Sequence, residues 1–146
     1  MKLYTIGFTQ KSAARFFGLL AANGVERVVD IRLKPGGQLS GFAKQGDLVW
    51  FLERLNGAGY IHLPQLAPSA EIRDDYRKDR DWERYVPRFE GLMDERGIPG
   101  ILDRSSFEER LSCLLCSEPT PERCHRRLVA ERIARTWPDV EVIHLV

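Results

Sequence analysis

The chain has little that would hold it in a membrane or staple it together. None of its apolar runs approaches membrane-spanning length. The opening MKLYTIGFTQ carries one lysine and an apolar stretch too short for a secretory core. The expectation is a cytoplasmic protein with no membrane partner. Cysteine is scarce, with three in 146 residues, and Cys113, Cys116 and Cys124 all fall within a dozen positions. An odd, clustered count makes a poor disulfide framework and suits site chemistry in a reduced compartment. Charge of one sign is also lacking. Lys and Arg number 22 against 21 Asp and Glu, a formal net charge of +1, so any anion site must be local. Repeats, low-complexity tracts and linkers are missing too, and 43% hydrophobic content can supply one core. A single domain over residues 1–146 is expected.

What is present is an alternation of short strand-like runs with segments of helical period. Leu3 to Gly7 reads as a strand, after which Thr9 is placed to cap a helix with Ala13, Phe16, Phe17 and Leu20 on one face and Asn23 and Gly24 at its end. Val25 to Arg32 reads as a strand buried on both faces, with Asp30 and Arg32 near its carboxyl end. A Gly- and Pro-rich loop, Leu33 to Lys44, leads to a helix capped by Asp47 with Leu48, Phe51, Leu52 and Leu55 inward. Tyr60 to Leu63 gives a third strand. The following PQLAPSAEIRDDY reads as loop, and Trp82, Tyr85, Phe89 and Leu92 then mark a helix that Pro87 should kink or restart. Gly97 to Leu111 is hard to read beyond one turn capped by Ser105. Ser112 to Cys116 is a fourth strand, Thr120 and Pro121 are suited to start a helix carrying Leu128, Val129 and Ile133 inward, and Val140 to Val146 is the fifth strand. This order predicts a three-layer α/β fold, a mainly parallel sheet of about five strands with helices on both faces. Ligands in such folds bind beyond the carboxyl ends of the strands.

At that edge lies the one unusual stretch, LLCSEPTPERCHRR. Cys116, Glu118, Cys124, His125 and Arg126 gather a nucleophile, an acid, a second thiol, a base and a fixed cation within eleven residues. A thiolate or a bound anion there would gain from the N-terminus of the following helix.

The motifs YTIG, VVDIR, GFAK, YIHLPQLAP and LLCSEPTPERCHRRLVAE together resemble the domain of unknown function 488 family, over nearly the whole chain and closest to its branch with a DIRLKP loop and a LAP segment. The resemblance implies a small α/β domain with hallmark positions Thr5, Gly7, Asp30, Arg32, Cys116, Glu118, Cys124, His125 and Arg126. It implies no particular activity. The chain departs from many members in carrying Phe8 and Thr9 where they have histidine and serine.

Three readings follow. In the preferred one the protein is an enzyme of unspecified reaction, with Cys116 or Cys124 as nucleophile or redox thiol and Glu118 or His125 moving protons. Its small anionic ligand, a phosphate or nucleotide, is held by Thr5, Gly7, Thr9, Asp30, Arg32, Ser40, Lys44 and Arg126. Arg123 follows Cys116 by one position more than the arginine of the cysteine-phosphatase cradle, which argues against phosphatase chemistry. The second reading makes Cys113, Cys116, Cys124 and His125 zinc ligands. Residues three apart in a strand face opposite ways, so Cys113 is better placed in the core and no metal or other cofactor is expected. The third is a nucleotide or nucleic-acid binding module with Arg32, Lys34, Lys44, Arg123, Arg126 and Arg127 as its rim and Phe8 and Phe42 as base-stacking groups, a partner that the net charge does not favour. His62 suits a ligand or a satisfied core histidine equally, His144 reads as structural, and Asp30 can simply pair with Arg32.

Overall fold

A computed structural model describes residues 1–146, apart from the side chain of Gln38. Five strands, β1 (Lys2–Gly7), β2 (Arg27–Asp30), β3 (Gly59–His62), β4 (Ser112–Cys116) and β5 (Glu141–Leu145), form one all-parallel sheet in the order β3-β2-β4-β1-β5. The three inner strands are buried almost throughout, as strands covered on both faces must be. Helices α1 (Ala13–Ala22) and α2 (Gln45–Phe51) cover one face through Phe16, Phe17, Leu20 and Leu48, packed on Tyr4, Ile6, Val28, Cys113 and Leu115. Helices α3 (Ala70–Asp79), α4 (Trp82–Arg96), α5 (Arg104–Glu109) and α6 (His125–Thr136) lie on the other. There Ile72, Phe89, Met93, Phe107, Leu128 and Ile133 pack on Leu3, Val29, Ile31 and Leu114.

Several expected boundaries move, each for a local reason. Ser12, not Thr9, caps α1 by accepting the Arg15 N–H at 3.1 Å. Thr9 instead ties β1 to the loop after β4, its Oγ1 donating to the Ser117 carbonyl at 2.6 Å. Lys44 rather than Asp47 stands at the N-cap of α2, with Asp47 in the first turn. The helix continues into a wide π turn, Leu52–Asn56, that rotates Leu55 away from the core and leaves it 62% exposed. A short 3-10 segment, Gln38–Ala43, occupies the loop before it.

The segment read as loop after β3 contains α3. Ile72 is its only buried residue, too thin a stripe for periodicity to register, and its start is fixed by Ser69 accepting the Ile72 N–H at 3.2 Å. Helix α4 runs unbroken through Pro87, whose ring is exposed on the solvent side. Asp103, not Ser105, precedes α5. The last helix begins at His125 instead of after Thr120, because residues 117–124 form a turn-rich loop closed by the Cys124 N–H on the Pro121 carbonyl at 3.2 Å. Arg132, which interrupts the apolar stripe of α6, pairs with Glu90 at 2.8 Å and with Asp94.

Candidate functional site

The carboxyl ends of β1, β2 and β4 open into a cleft of about 720 Å³, a volume in the range of small-molecule sites. Its floor is built by the strand-loop-helix unit β4 to α6. Cys116 ends the strand, Cys124 is the N-cap of α6 and His125 its first residue, and the three ligand atoms lie within 4.8 Å of one another. The His125 Nε2 lies 2.8 Å from the Ile31 carbonyl. A carbonyl only accepts, so Nε2 carries the hydrogen, and Nδ1 faces the Cys116 Sγ at 3.2 Å. The residue just beyond β2 thus fixes the imidazole with its lone pair on the thiol, the geometry of a base held ready by a third group.

Burial alone would raise the Cys116 thiol. Against it act a hydrogen bond from Cys124, the charge of Arg126, and the backbone N–H groups of Ser117 and Glu118, and together they hold Cys116 below the ordinary thiol range. Cys124 goes the other way: burial first, then the hydrogen bond and charge of Cys116, push it well up. One thiol is therefore poised to ionise beside another that keeps its proton. Burial pushes the Cys113 thiol up as well, and this residue faces the α1–α2 core, away from the cleft. The four-ligand zinc set therefore fails at Cys113, for the reason strand alternation gives. Cys116, Cys124 and His125 remain a group able to hold a metal.

Arg126 is fully buried beneath this floor. Its Nη1 donates to the Glu118 carbonyl at 2.5 Å and to the Cys124 Sγ at 3.5 Å, and its Nε to Thr5 Oγ1 at 3.3 Å. Among the described residues no carboxylate pairs with it, and Nη2 has no partner. A buried guanidinium without a counter-charge is costly; the sulfur it touches is Cys124, and its charge also favours an anion at the Cys116 sulfur. Thr5 is held in turn against His144 Nδ1 at 2.6 Å. Replacing Thr5 with valine leaves Arg126 Nε unpaired, and an unfolding titration should show a loss of about 1–2 kcal/mol; an unchanged midpoint would remove Thr5 from this support.

Asp30 and Arg32 form a second buried unit. Arg32 Nε and Nη2 grip both carboxylate oxygens at 2.8 and 2.7 Å, Nη2 also donates to the Ala43 carbonyl, and Tyr60 Oη donates to Asp30 at 2.6 Å. His62 Nε2 lies 2.7 Å from the Arg32 carbonyl. Arg32 borders the cleft, but its Nη1 is buried and has no partner among the described residues, so its part here is to hold Asp30 and lend positive charge to the cleft wall.

Of the residues singled out in the sequence, Thr9, Arg32, Ser40, Cys116, Glu118, Cys124 and His125 line the cleft. Thr5, Gly7, Asp30 and Arg126 are buried and do not line it. Lys44 is exposed and outside it, because its backbone starts α2. Glu118 stands exposed at the mouth. Phe8 lines the cleft with the Arg32 guanidinium over its ring, whereas Phe42 packs among Phe16 and Phe17. The rim contributed by α3, namely Arg73, Tyr76, Arg77 and Arg80, carried no signal in the sequence, since that segment reads as loop. With Arg32, Lys34 and Arg123, the cleft collects six cations against one carboxylate, Glu118. Arg73 and Arg77 lean on Asp74 at 3.1 and 4.0 Å, which tempers their charge, while Lys34, Arg80 and Arg123 have no ion-pair partner among the described residues.

No curated protein and no solved structure matches the chain. A family model described as Domain of unknown function DUF488 matches residues 12–133, a span that holds β2, β3, β4, most of α6 and the loop 117–124 between Cys116 and α6, the sulfur loop. With that match over most of its length, the chain belongs to the family of domain of unknown function DUF488.

Proposed function

We propose that this protein is a cysteine-dependent enzyme acting on a small anionic substrate that carries phosphate. The observation that carries the reading is the Cys116–His125–Ile31 relay, 3.2 and 2.8 Å, at the floor of a cleft with a cationic rim. In this reading His125 Nδ1 takes the thiol proton and the Ser117 and Glu118 N–H groups cradle the sulfur. Cys116 Sγ then forms a bond to the substrate's electrophilic atom as that atom's bond to the leaving group breaks, and the departing group takes the proton from Nδ1. Lys34, Arg80 and Arg123 on the rim hold the phosphate, with the buried Arg32 adding positive charge behind them. Cys124 keeps its proton and supports the thiolate, and Glu118 at the mouth is placed to move protons to and from solvent.

The anion is tested by thermal shift with inorganic phosphate and a panel of nucleotides. Stabilisation should approach about 2.7 kcal/mol at a hundredfold excess over Kd, weaken as salt rises, and vanish in Arg123→Ala combined with Arg80→Ala. A melting temperature indifferent to every anion would contradict the reading.

A second reading is favoured by the convergence of Cys116 Sγ, Cys124 Sγ and His125 Nδ1 within 4.8 Å. That donor set suits zinc with a fourth position open to the cleft, and the Nε2 bond to the Ile31 carbonyl is the usual outer support of a metal-bound histidine. Zinc neutralised by two thiolates would leave Arg126 without a counter-charge, which is why the free thiolate is preferred. Metal analysis of protein purified without chelators separates the two: one zinc per chain carries the second reading, and a metal-free protein with a reactive Cys116 carries the first.

A further inference from the structure

The mechanism leaves one nucleophilic group without chemistry of its own, Cys124. We infer that Cys124 is the resolving partner of Cys116, and that a hydroperoxide converts the pair into an intramolecular Cys116–Cys124 disulfide that reversibly closes the site.

Four observations lead there. The two sulfurs lie within 4.8 Å, so a change of side-chain torsion brings them to bonding distance. Both line the cleft, so a small oxidant reaches them, yet Cys116 is 5% and Cys124 2% exposed, which bars a bulky outside thiol from resolving an oxidised Cys116. Cys124 is the N-cap of α6 but its side chain makes no capping bond, so turning it toward Cys116 gives up only the long 3.5 Å contact from Arg126 Nη1. Cys113, the only other thiol, points into the opposite core. The inference rests on the reading of Cys116 as a thiolate and adds to it the fate of that thiolate under oxidation.

The steps balance. The Cys116 thiolate attacks the distal oxygen of the hydroperoxide, forming S–O and breaking O–O. The alkoxide or hydroxide leaves and takes a proton, and Cys116 becomes a sulfenic acid. The Cys124 sulfur, giving up its proton to His125 Nδ1, then displaces hydroxide from that sulfur, forming S–S and breaking S–O, and water departs. A reducing dithiol reverses the change by two exchanges. Because the reduced state is favoured by Arg126, His125 and the two backbone N–H groups beside the Cys116 sulfur, the disulfide should be oxidising and easily reduced, the character of regulatory rather than structural bridges.

The test treats native, metal-free protein with one equivalent of hydrogen peroxide, then counts thiols in denaturant and maps the peptides. Two of the three thiols should disappear from the wild type and both remaining thiols from Cys113→Ala, with Cys116 linked to Cys124, and dithiothreitol should restore them. In Cys124→Ser the reaction should stop at a sulfenic acid on Cys116 that dimedone traps. Iodoacetamide labelling of untreated protein runs in parallel. Three surviving thiols, or a sulfinic acid on Cys116 in the wild type, alongside rapid alkylation of Cys116 would overturn the pairing and leave the nucleophile reading standing. Slow alkylation of Cys116 would overturn both.

Discussion

Iodoacetamide should modify Cys116 in the native protein at neutral pH, while Cys113 and Cys124 stay unmodified until the protein is denatured. An ordinary thiol, with a pKa near 8.5, is a few per cent ionised at pH 7. The sign of the Cys116 shift is downward: burial opposes ionisation, and the Cys124 hydrogen bond, Arg126 and the Ser117 and Glu118 N–H groups outweigh it. Its alkylation rate should therefore hold as pH falls past the ordinary thiol value and drop only below it. The opposite sign at Cys124 predicts silence over the same range. His125→Ala removes the base at 3.2 Å and should slow turnover of any substrate by about 10²-fold or more, and Cys116→Ser should abolish it. Equal alkylation rates at Cys116 and at a denatured cysteine would remove the reason for assigning Cys116 a chemical role.

Gly7→Ala should be among the most damaging single substitutions in the chain. Gly7 is buried in β1 at its last position, and a Cβ there would sit 1.6 Å from the Glu118 carbonyl oxygen and 2.9 Å from Arg126 Nη1. Those two atoms bond each other at 2.5 Å, so the methyl group would part the sulfur loop from its buried cation. The neighbour is backbone, tied on either side by Thr9 to Ser117 and by Arg126 to Glu118, and it cannot swing aside as a side chain would. A loss of about 3 kcal/mol or more is expected from such overpacking, together with slower Cys116 alkylation, since the Glu118 N–H that cradles the sulfur moves with its carbonyl. Chemical unfolding and the alkylation rate check both halves. A variant with wild-type stability and reactivity would mean that the loop does not dock on Gly7.

The sequence was most legible where periodicity and burial agree. The inner strands VVD and SCLLC are buried without interruption, and their parallel order followed from the helices between them. Strand alternation alone separated Cys113 from Cys116. The site was legible as a list of groups, because Cys116, Glu118, Cys124, His125 and Arg126 are close in the chain, and Asp30 and Arg32 stood out at a strand end. What could not be read were the contacts that cross the sheet. The Ile31 carbonyl that orients His125 is 94 positions away, and a backbone oxygen leaves no mark on residue type. The cationic rim of α3 was hidden for a different reason: a helix with one buried residue and a polar remainder looks like a loop. Thr9 looked like a cap because threonine before an apolar stripe usually is one; the nearer Ser12 took that role and freed Thr9 to lock two loops together.

The central claim joins two parts, an anion cleft and a reactive thiol on its floor, and one measurement reads both. The rate of Cys116 alkylation by iodoacetamide is followed as inorganic phosphate is raised at constant ionic strength, in the wild type and in Arg80→Ala combined with Arg123→Ala. Phosphate should protect Cys116 in a saturable way in the wild type and fail to protect it in the variant, whose thiol reacts at its own unprotected rate throughout. Rapid alkylation that phosphate and nucleotides leave unchanged in the wild type would contradict the account, because the thiol and the cationic rim would then not belong to one site.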